Sequence, residues 1–351
     1  MNSRDKILTG KNGDRPEKIR QVIVTGATGM VGSYLVAALL SGGGYKVRAV
    51  VRNLETVCRL ESVLKAYGLE MGVVEIVETE IEDYSQVVKA MEGCAVVFHC
   101  AATVSMDRAD DQRLVAANVG MTHNIVAACL ESSGHPLLVH VSSIASLGKA
   151  LPGAKVTEDT IFENISTASP YSRSKFLSEN EVWKGISLGL DAVIVNPSVI
   201  LGAFPGGNGL QPVVNYAAKC GIRAYTPGIS GFVDVRDVAD AMILLSRESS
   251  CWNRRYIISG YDLKIRDFVG MLDEAFGFRA PKFRVNKWML SAGQWLFNIG
   301  RRVAAKETIT VNLLDLLVNE RYYDGSKITK SANFSYRSLD DTREMFAATK
   351  K

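Results

Sequence analysis

The stretch VIVTGATGMVGSYL at residues 22–35 places Gly26, Gly29 and Gly32 between an apolar run and a helical one. A chain turning this tightly from strand to helix needs a residue without a Cβ at the turn. Close approach of backbone N–H groups to a bound anion needs a second, and packing of the helix on the strand a third. The helix N-terminus then offers its partial positive charge to whatever the turn holds. The spacing is G-x-x-G-x-x-G and no Gly-Lys-Ser/Thr follows, which argues against a P-loop. This setting predicts a dinucleotide diphosphate on the turn, held by Gly26, Thr28, Gly29, Met30, Val31 and Gly32.

The same alternation continues downstream. QVIVTG, KVRAVVR, VVEIV, AVVFHCAA, LLVHVSS and DAVIVNPSVI are short, nearly continuous apolar runs separated by helical patterns. The helices are expected at 30–44, 54–68, 85–93, 109–132 and 170–188, and DAVIVNPSVI reads as one sixth strand. Strands apolar on both faces and separated by helices predict an α/β fold: a doubly wound, Rossmann-type parallel sheet. A smaller, mostly helical C-terminal lobe would bind substrate.

Residues 1–20 read as a flexible extension and 21–200 as the nucleotide-binding domain, with 231–262 returning to it. Residues 201–230 and 263–345 would form the substrate lobe, closing over the carboxyl ends of the strands, where such sheets bind ligands. FVDVRDVADAMILLSRES reads as a short strand and a helix opened by Asp234 or Arg236. RRYIISG is expected to rejoin the main sheet.

Composition removes several function classes. The 351 residues carry 41 basic and 37 acidic side chains, a net charge of +4 with no long basic run, so nucleic acid is a poor partner. The cysteines Cys58, Cys94, Cys100, Cys129, Cys220 and Cys251 form no C-x-x-C pair and read as reduced. None of the four histidines pairs at metal-ligand spacing. His99 and His140 lie in strand-like runs and read as hydrogen-bonded strand residues, so no metal is expected. The start is polar and no apolar run reaches spanning length, so the expectation is a cytoplasmic protein without a membrane partner.

Past the glycines, the second strand bears on the choice of nucleotide. An acid about twenty residues after them would hold the ribose 2′-OH of NAD. Arg52 stands there instead, and a guanidinium suits a 2′-phosphate through charge-assisted hydrogen bonds. The alternative is a solvated surface arginine. NADP(H) is the preferred cofactor on this reading, with NAD(H) possible.

Two tyrosines have a lysine four residues on: Tyr171–Lys175 in SPYSRSKF and Tyr323–Lys327 in YYDGSKI. Spacing alone decides little in a chain with 12 tyrosines. Tyr171 follows Pro170 and opens an expected helix, where residues i and i+4 share a face. The strand before it ends in Ser142 and Ser143. Gly325 interrupts the second pair, and no strand-end serine precedes it. Tyr171–Lys175 is the working pair.

Taken together, TGATGMVG, VVFHCAA, AANVGMTHNIVAA, HVSSIASLG, YSRSK, VNPSVILG and FVDVRDVADA resemble the extended short-chain dehydrogenases/reductases, the NAD-dependent epimerase/dehydratase family. The resemblance covers about 21–265 and leans toward the dihydroflavonol-reductase-like and 3β-hydroxysteroid-dehydrogenase-like branch. It implies that Tyr171 is the general acid or base, and that Lys175 lowers its pKa and holds the nicotinamide ribose. Ser143 would hydrogen-bond the substrate oxygen, and Asn118 would be either structural or part of a proton relay. Glu80 and Ile81 would flank the adenine, Ala101 and Ala102 would bring backbone to the cofactor, and Pro197 and Val199 would pack on the nicotinamide. For the apolar members of this set, core packing is an equal alternative. Asp234 and Asp237 read as structural.

The implied activity is NADP(H)-dependent interconversion of a ketone or aldehyde with a secondary alcohol. Alternatives are a nucleotide-sugar epimerase or dehydratase with tightly held NAD, and a nonenzymatic NADP-sensing protein. The resemblance also implies a homodimer formed through the long helix and the Tyr171 helix.

Overall fold

The structure is a computed structural model and describes residues 19–103, 111–151, 153–163, 165–204, 224–276, 283–284 and 319–348. Seven parallel strands make the main sheet. They are β1 (Arg20–Thr25), β2 (Tyr45–Val51), β3 (Glu75–Glu78), β4 (Val96–His99), β5 (Leu137–Val141), β7 (Ala192–Pro197) and β11 (Arg254–Ile258). Their order is β11-β7-β5-β4-β1-β2-β3. The chain winds outward from β1 through β2 to β3, then returns to β4 on the other side. The strand order therefore reverses between β1 and β4, the crevice where doubly wound sheets bind nucleotides.

Alternation along the strands explains why both faces are covered. Val22, Val24, Val96, Phe98, Val139, Val193 and Val195 point to one face, where Leu35 and Leu39 of α1 (Met30–Gly42) and Val238 and Met242 of α6 (Val235–Arg247) bury them. Ile23, Val97, Leu138 and Ile194 point to the other. There they meet α3 (Tyr84–Met91), α4 (Asp111–Glu131) and α5 (Pro170–Ser187) through Val87, Ile125 and Val182. Strands without a polar face can stand only in a sheet clad on both sides. The helix α2 (Val57–Ala66) adds Leu60 and Leu64 to the first layer.

On the α4/α5 face the apolar rows end in polar ones. Thr25, His99 and His140 lie in register across β1, β4 and β5, and all three are buried. The Thr25 hydroxyl hydrogen-bonds His99 Nδ1 at 2.8 Å, and the Thr122 hydroxyl of α4 meets His99 Nε2 at 3.3 Å. His99 thus matches the expected hydrogen-bonded strand residue. His140 does not, because neither of its ring nitrogens has a hydrogen-bond partner among the described residues.

DAVIVNPSVI is not one strand. β7 stops at Pro197, and β8 (Val199–Leu201) leaves the main sheet to pair with β10 (Ile229–Asp234). Proline has no N–H to continue the ladder, and Ser198 N–H is taken by the Ile258 carbonyl at 3.0 Å. β10 is the central strand of a separate three-stranded sheet, flanked on its other side by the antiparallel β12 (Tyr261–Lys264). β11 rejoins the main sheet beside β7, as RRYIISG suggested. Short pairs β9 (Ala224–Tyr225) with β13 (Phe283–Arg284) and β6 (Lys155–Val156) with β14 (Tyr322–Tyr323) complete the strands.

Asp234 opens α6 by accepting from Arg236 N–H at 2.8 Å, and its other oxygen takes Thr342 of α9 (Leu339–Ala348) at 2.8 Å. Asp237 accepts the Arg337 N–H and pairs with its guanidinium. The remaining helices are α7 (Ile265–Phe276) and α8 (Ser326–Ser331). Much of the expected substrate lobe, including Cys220 and 285–318, lies outside the described residues. Among those described, no helix is long and apolar enough to cross a membrane.

Candidate active site

β5 runs out into Ser142 and Ser143. Ser143 opens a 3-10 turn over Ile144–Ser146, its hydroxyl accepting from Ala145 N–H at 3.1 Å. α5 begins just after Ser169, whose hydroxyl accepts from Ser172 N–H at 3.0 Å. Pro170 fills the first helical position, where its missing N–H is not needed. This capping puts Tyr171 in the first turn and Lys175 on the same face one turn later.

The Ser143 hydroxyl lies beside the Tyr171 phenol and favours its ionised form. The buried Lys175 ammonium donates to the Val141 carbonyl at 3.1 Å. All three side chains therefore meet at the carboxyl end of β5. Tyr323 and Lys327 do not form such a set. Tyr323 is buried in β14, whereas Lys327 lies in α8 and donates to the Arg255 carbonyl at 2.9 Å.

Burial pushes the Tyr171 phenol above its ordinary range, and the Ser143 contact pulls it back. Burial also brings the Lys175 ammonium down to about 8, against the opposing pull of Cys100 and Glu179. The sequence suggested that Lys175 lowers the phenol. In this arrangement its ammonium is turned to Val141, and Ser143 is the group opposing burial.

Asn118 is fully engaged. Its Oδ1 accepts from Thr103 N–H at 2.7 Å, and its Nδ2 donates to the Thr103 carbonyl at 3.0 Å and the Ser174 hydroxyl at 3.3 Å. It clamps the loop after β4 to α5.

The glycine turn faces the same crevice. Gly26 has φ +66°, and a Cβ there would lie 2.8 Å from both Cα and N of Ala101. A Cβ at Gly32 would collide with the Gly26 carbonyl, so turn and helix touch backbone to backbone. α1 starts at Met30 and Val31 behind Gly29, with no side-chain cap and no acid in its first turn. A cradle that any Cβ would fill, at a helix end without a side-chain cap, fits a dinucleotide diphosphate. Ala101 and Ala102 follow β4 directly, and Ala101 N–H donates to the Thr25 hydroxyl at 3.2 Å.

Arg52 stands exposed at the end of β2, the parallel neighbour of β1, and has no ion-pair partner among the described residues. The Thr28 hydroxyl accepts from Thr56 at 3.1 Å, which ties the glycine turn to the segment after Arg52. Glu80 is exposed in the turn after β3, its N–H held by Gln86 at 3.0 Å. Ile81 is buried with Val50 and Val87, which makes its side chain part of the core. Pro197 closes β7, whereas Val199 belongs to the second sheet.

Sequence reading missed the group beneath the site. Glu179, one turn past Lys175, is 2 % exposed. Its Oε2 accepts from the Ser142 hydroxyl at 2.7 Å, the Ser146 hydroxyl at 2.7 Å and Asn196 Nδ2 at 2.8 Å. Its Oε1 takes Arg255 at 3.0 Å and Trp183 Nε1 at 3.2 Å. The available signal was the i, i+4, i+8 ladder Tyr171–Lys175–Glu179. A glutamate in so polar a helix otherwise reads as solvated.

Comparison with known proteins agrees with this geometry. The model of the NAD dependent epimerase/dehydratase family matches residues 22–258. The chain is 32% identical over 267 residues to a sterol demethylase protein B of Methylococcus capsulatus, covering 75% of this chain and 76% of that one. It is 29% identical to a putative dihydroflavonol 4-reductase of Synechocystis, over 90% of each. In fold it resembles a nucleoside-diphosphate-sugar epimerase of Pseudomonas aeruginosa, with TM-score 0.74 and 21% identity over 94% of this chain and 97% of that one. Glycine turn, strand order and sequence relatives converge: the chain belongs to the NAD-dependent epimerase/dehydratase family, among the extended short-chain dehydrogenases/reductases, and is an NAD(P)-dependent oxidoreductase.

Proposed function

We propose that this protein is an NADP(H)-dependent reductase/dehydrogenase that interconverts a ketone or aldehyde with a secondary alcohol. The observation that carries this reading is the placement of Ser143, Tyr171 and the buried Lys175 together at the carboxyl end of β5, a strand end facing the glycine turn. Its relatives named dihydroflavonol 4-reductase favour carbonyl chemistry at the level of class.

The nicotinamide cofactor, when bound, supplies or accepts the hydride. The chain's own residues do the rest. Gly26, Gly29 and Gly32 and the start of α1 hold the diphosphate, and Arg52 meets the 2′-phosphate. Ser143 donates to the substrate oxygen and orients it toward Tyr171. A phenol raised by burial is protonated at neutral pH, which suits it to donate its proton to a carbonyl oxygen during reduction. Lys175 lies on the same helix face, placed to hold the ribose hydroxyls.

The test is a screen of ketones and aldehydes for NADPH consumption, followed by Tyr171→Phe. Loss of the general acid is expected to slow turnover about 10²–10⁴-fold while NADPH affinity persists. Arg52→Ala is expected to weaken NADPH by about 1.5–3 kcal/mol and to leave NADH unchanged. Full activity in Tyr171→Phe would end the mechanism, and equal affinity for the two cofactors in the unmodified protein would end the NADP(H) preference. Copurification of NAD with a nucleotide-sugar would replace the reductase with the epimerase reading.

A further inference from the structure

The buried half of α5 is polar where a helix packed on a sheet is ordinarily apolar. Ser174, Lys175, Ser178 and Glu179 all face inward. A buried carboxylate is costly unless its oxygens are satisfied. Glu179 meets that condition with five donors drawn from four places. Ser142 and Ser146 belong to the turn carrying Ser143, Asn196 to β7 and Arg255 to β11, while Trp183 lies on its own helix. Asn196 also donates to the Ser143 carbonyl at 3.2 Å, so the network holds both ends of the serine turn.

We infer that Glu179 is a positioning residue for the candidate site, anchoring the turn that carries Ser143 and supplying the counter-charge to the Lys175 ammonium. The inference rests on the reading of Ser143, Tyr171 and Lys175 given above and adds the group that sets their frame.

The charges around Lys175 leave this role to Glu179. From β4 and β5, His99 and His140 face it, and burial together with Lys175 itself keeps both neutral, His99 being brought down to about 3 and His140 well below its usual range. The Cys100 thiol after β4 is pushed up to about 12, so it carries no charge at neutral pH. Tyr171, on the same helix, is likewise protonated. Of the two groups that pull the ammonium upward, this leaves Glu179, the ion-pair partner of Arg255. Arg255 holds that carboxylate from the far side at 3.0 Å, and is held in turn by the Glu158 carbonyl at 2.7 Å. The Glu158 carboxylate accepts from Ile257 N–H at 2.9 Å, and Lys327 sits on the Arg255 carbonyl at 2.9 Å. The result is a line of alternating charge, Lys175 to Glu179 to Arg255, from the site to the edge strand.

The test reads Lys175 directly in the protein without cofactor. Protein carrying 13Cε-lysine is titrated by NMR, with the Lys175 resonance assigned by Lys175→Met. Glu179→Gln, which keeps shape and removes charge, is expected to lower the Lys175 midpoint by about one pH unit. Glu179→Asp is expected to restore much of it. Arg255→Met, which removes the neutralising partner, is expected to move the midpoint the opposite way. A purely structural role would not produce opposite shifts from the two ends of one ion pair. An unchanged midpoint in folded Glu179→Gln overturns the inference. If that variant fails to fold, Arg255→Met decides alone, a rise supporting the inference and no change overturning it. Failure of both to fold also overturns it, because the carboxylate would then serve the fold and not the site. Activity retained in Tyr171→Phe strikes the parent reading separately, since the NMR titration involves no turnover.

Discussion

Replacing Gly26 with alanine is expected to destabilise the protein by about 2–5 kcal/mol, and two features of the turn separate the contributions. Gly26 has φ +66°, a conformation costing an L-residue about 1–2 kcal/mol. The new Cβ would also stand 2.8 Å from Ala101 Cα and N, both backbone atoms that cannot rotate away. Forcing that loop aside costs about 1–3 kcal/mol. Gly68, just past α2, is the internal control. Its φ is +69°, its N–H and that of Leu69 turn back to Lys65 and Leu64 as at a left-handed helix end, and a Cβ there would have nothing within 4 Å. Gly68→Ala should therefore show the conformational cost alone. Urea unfolding of the two variants, compared at equal slope, isolates the contact as a difference of about 1–3 kcal/mol. Because Ala101 borders the crevice, Gly26→Ala should also weaken cofactor binding, whereas Gly68→Ala should not. Equal destabilisation by the two variants would refute the claim that backbone contact with Ala101 is what requires glycine.

Lys175→Met should stabilise the cofactor-free protein while abolishing turnover. A buried ammonium whose pKa falls from 10.5 to about 8 costs up to about 3 kcal/mol at neutral pH. Between those two values the unfolded chain binds more protons than the native one, so wild-type stability should rise from pH 8 to 10.5; this component should vanish in the variant, as thermal melts across that range would reveal. Asp234→Ala removes a cap that is 0 % exposed and strips partners from Arg236 and Thr342; urea midpoints should register about 2–4 kcal/mol, and a loss under 1 kcal/mol would contradict the network. Tyr323→Phe should leave turnover within a small factor, since Tyr323 lies in β14 and Lys327 is committed to Arg255; a loss matching that of Tyr171→Phe would reverse the choice between the two pairs.

What the chain shows without its fold is whatever depends on local periodicity and backbone conformation. Six apolar runs, their intervening helices and the glycine triplet announce a parallel doubly wound sheet, because strands without a polar face are tolerated only when clad on both sides. The Pro170 helix start with Lys175 one turn after Tyr171 is equally local, since capping and the i+4 repeat act over a few residues. Three things needed the tertiary structure. The break at Pro197–Ser198 depends on β8 finding β10, a partner thirty residues on, which no local pattern reveals. His140 reads like His99 in sequence, yet only His99 faces hydroxyls on both sides, because Thr25 and Thr122 come from other elements. Glu179 is the plainest case. On a polar helix it reads as solvated, and only the convergence of the serine turn, β7 and β11 buries it among donors. A long-range set of hydrogen bonds, invisible in helical periodicity, turns a surface-like residue into the floor of the candidate site.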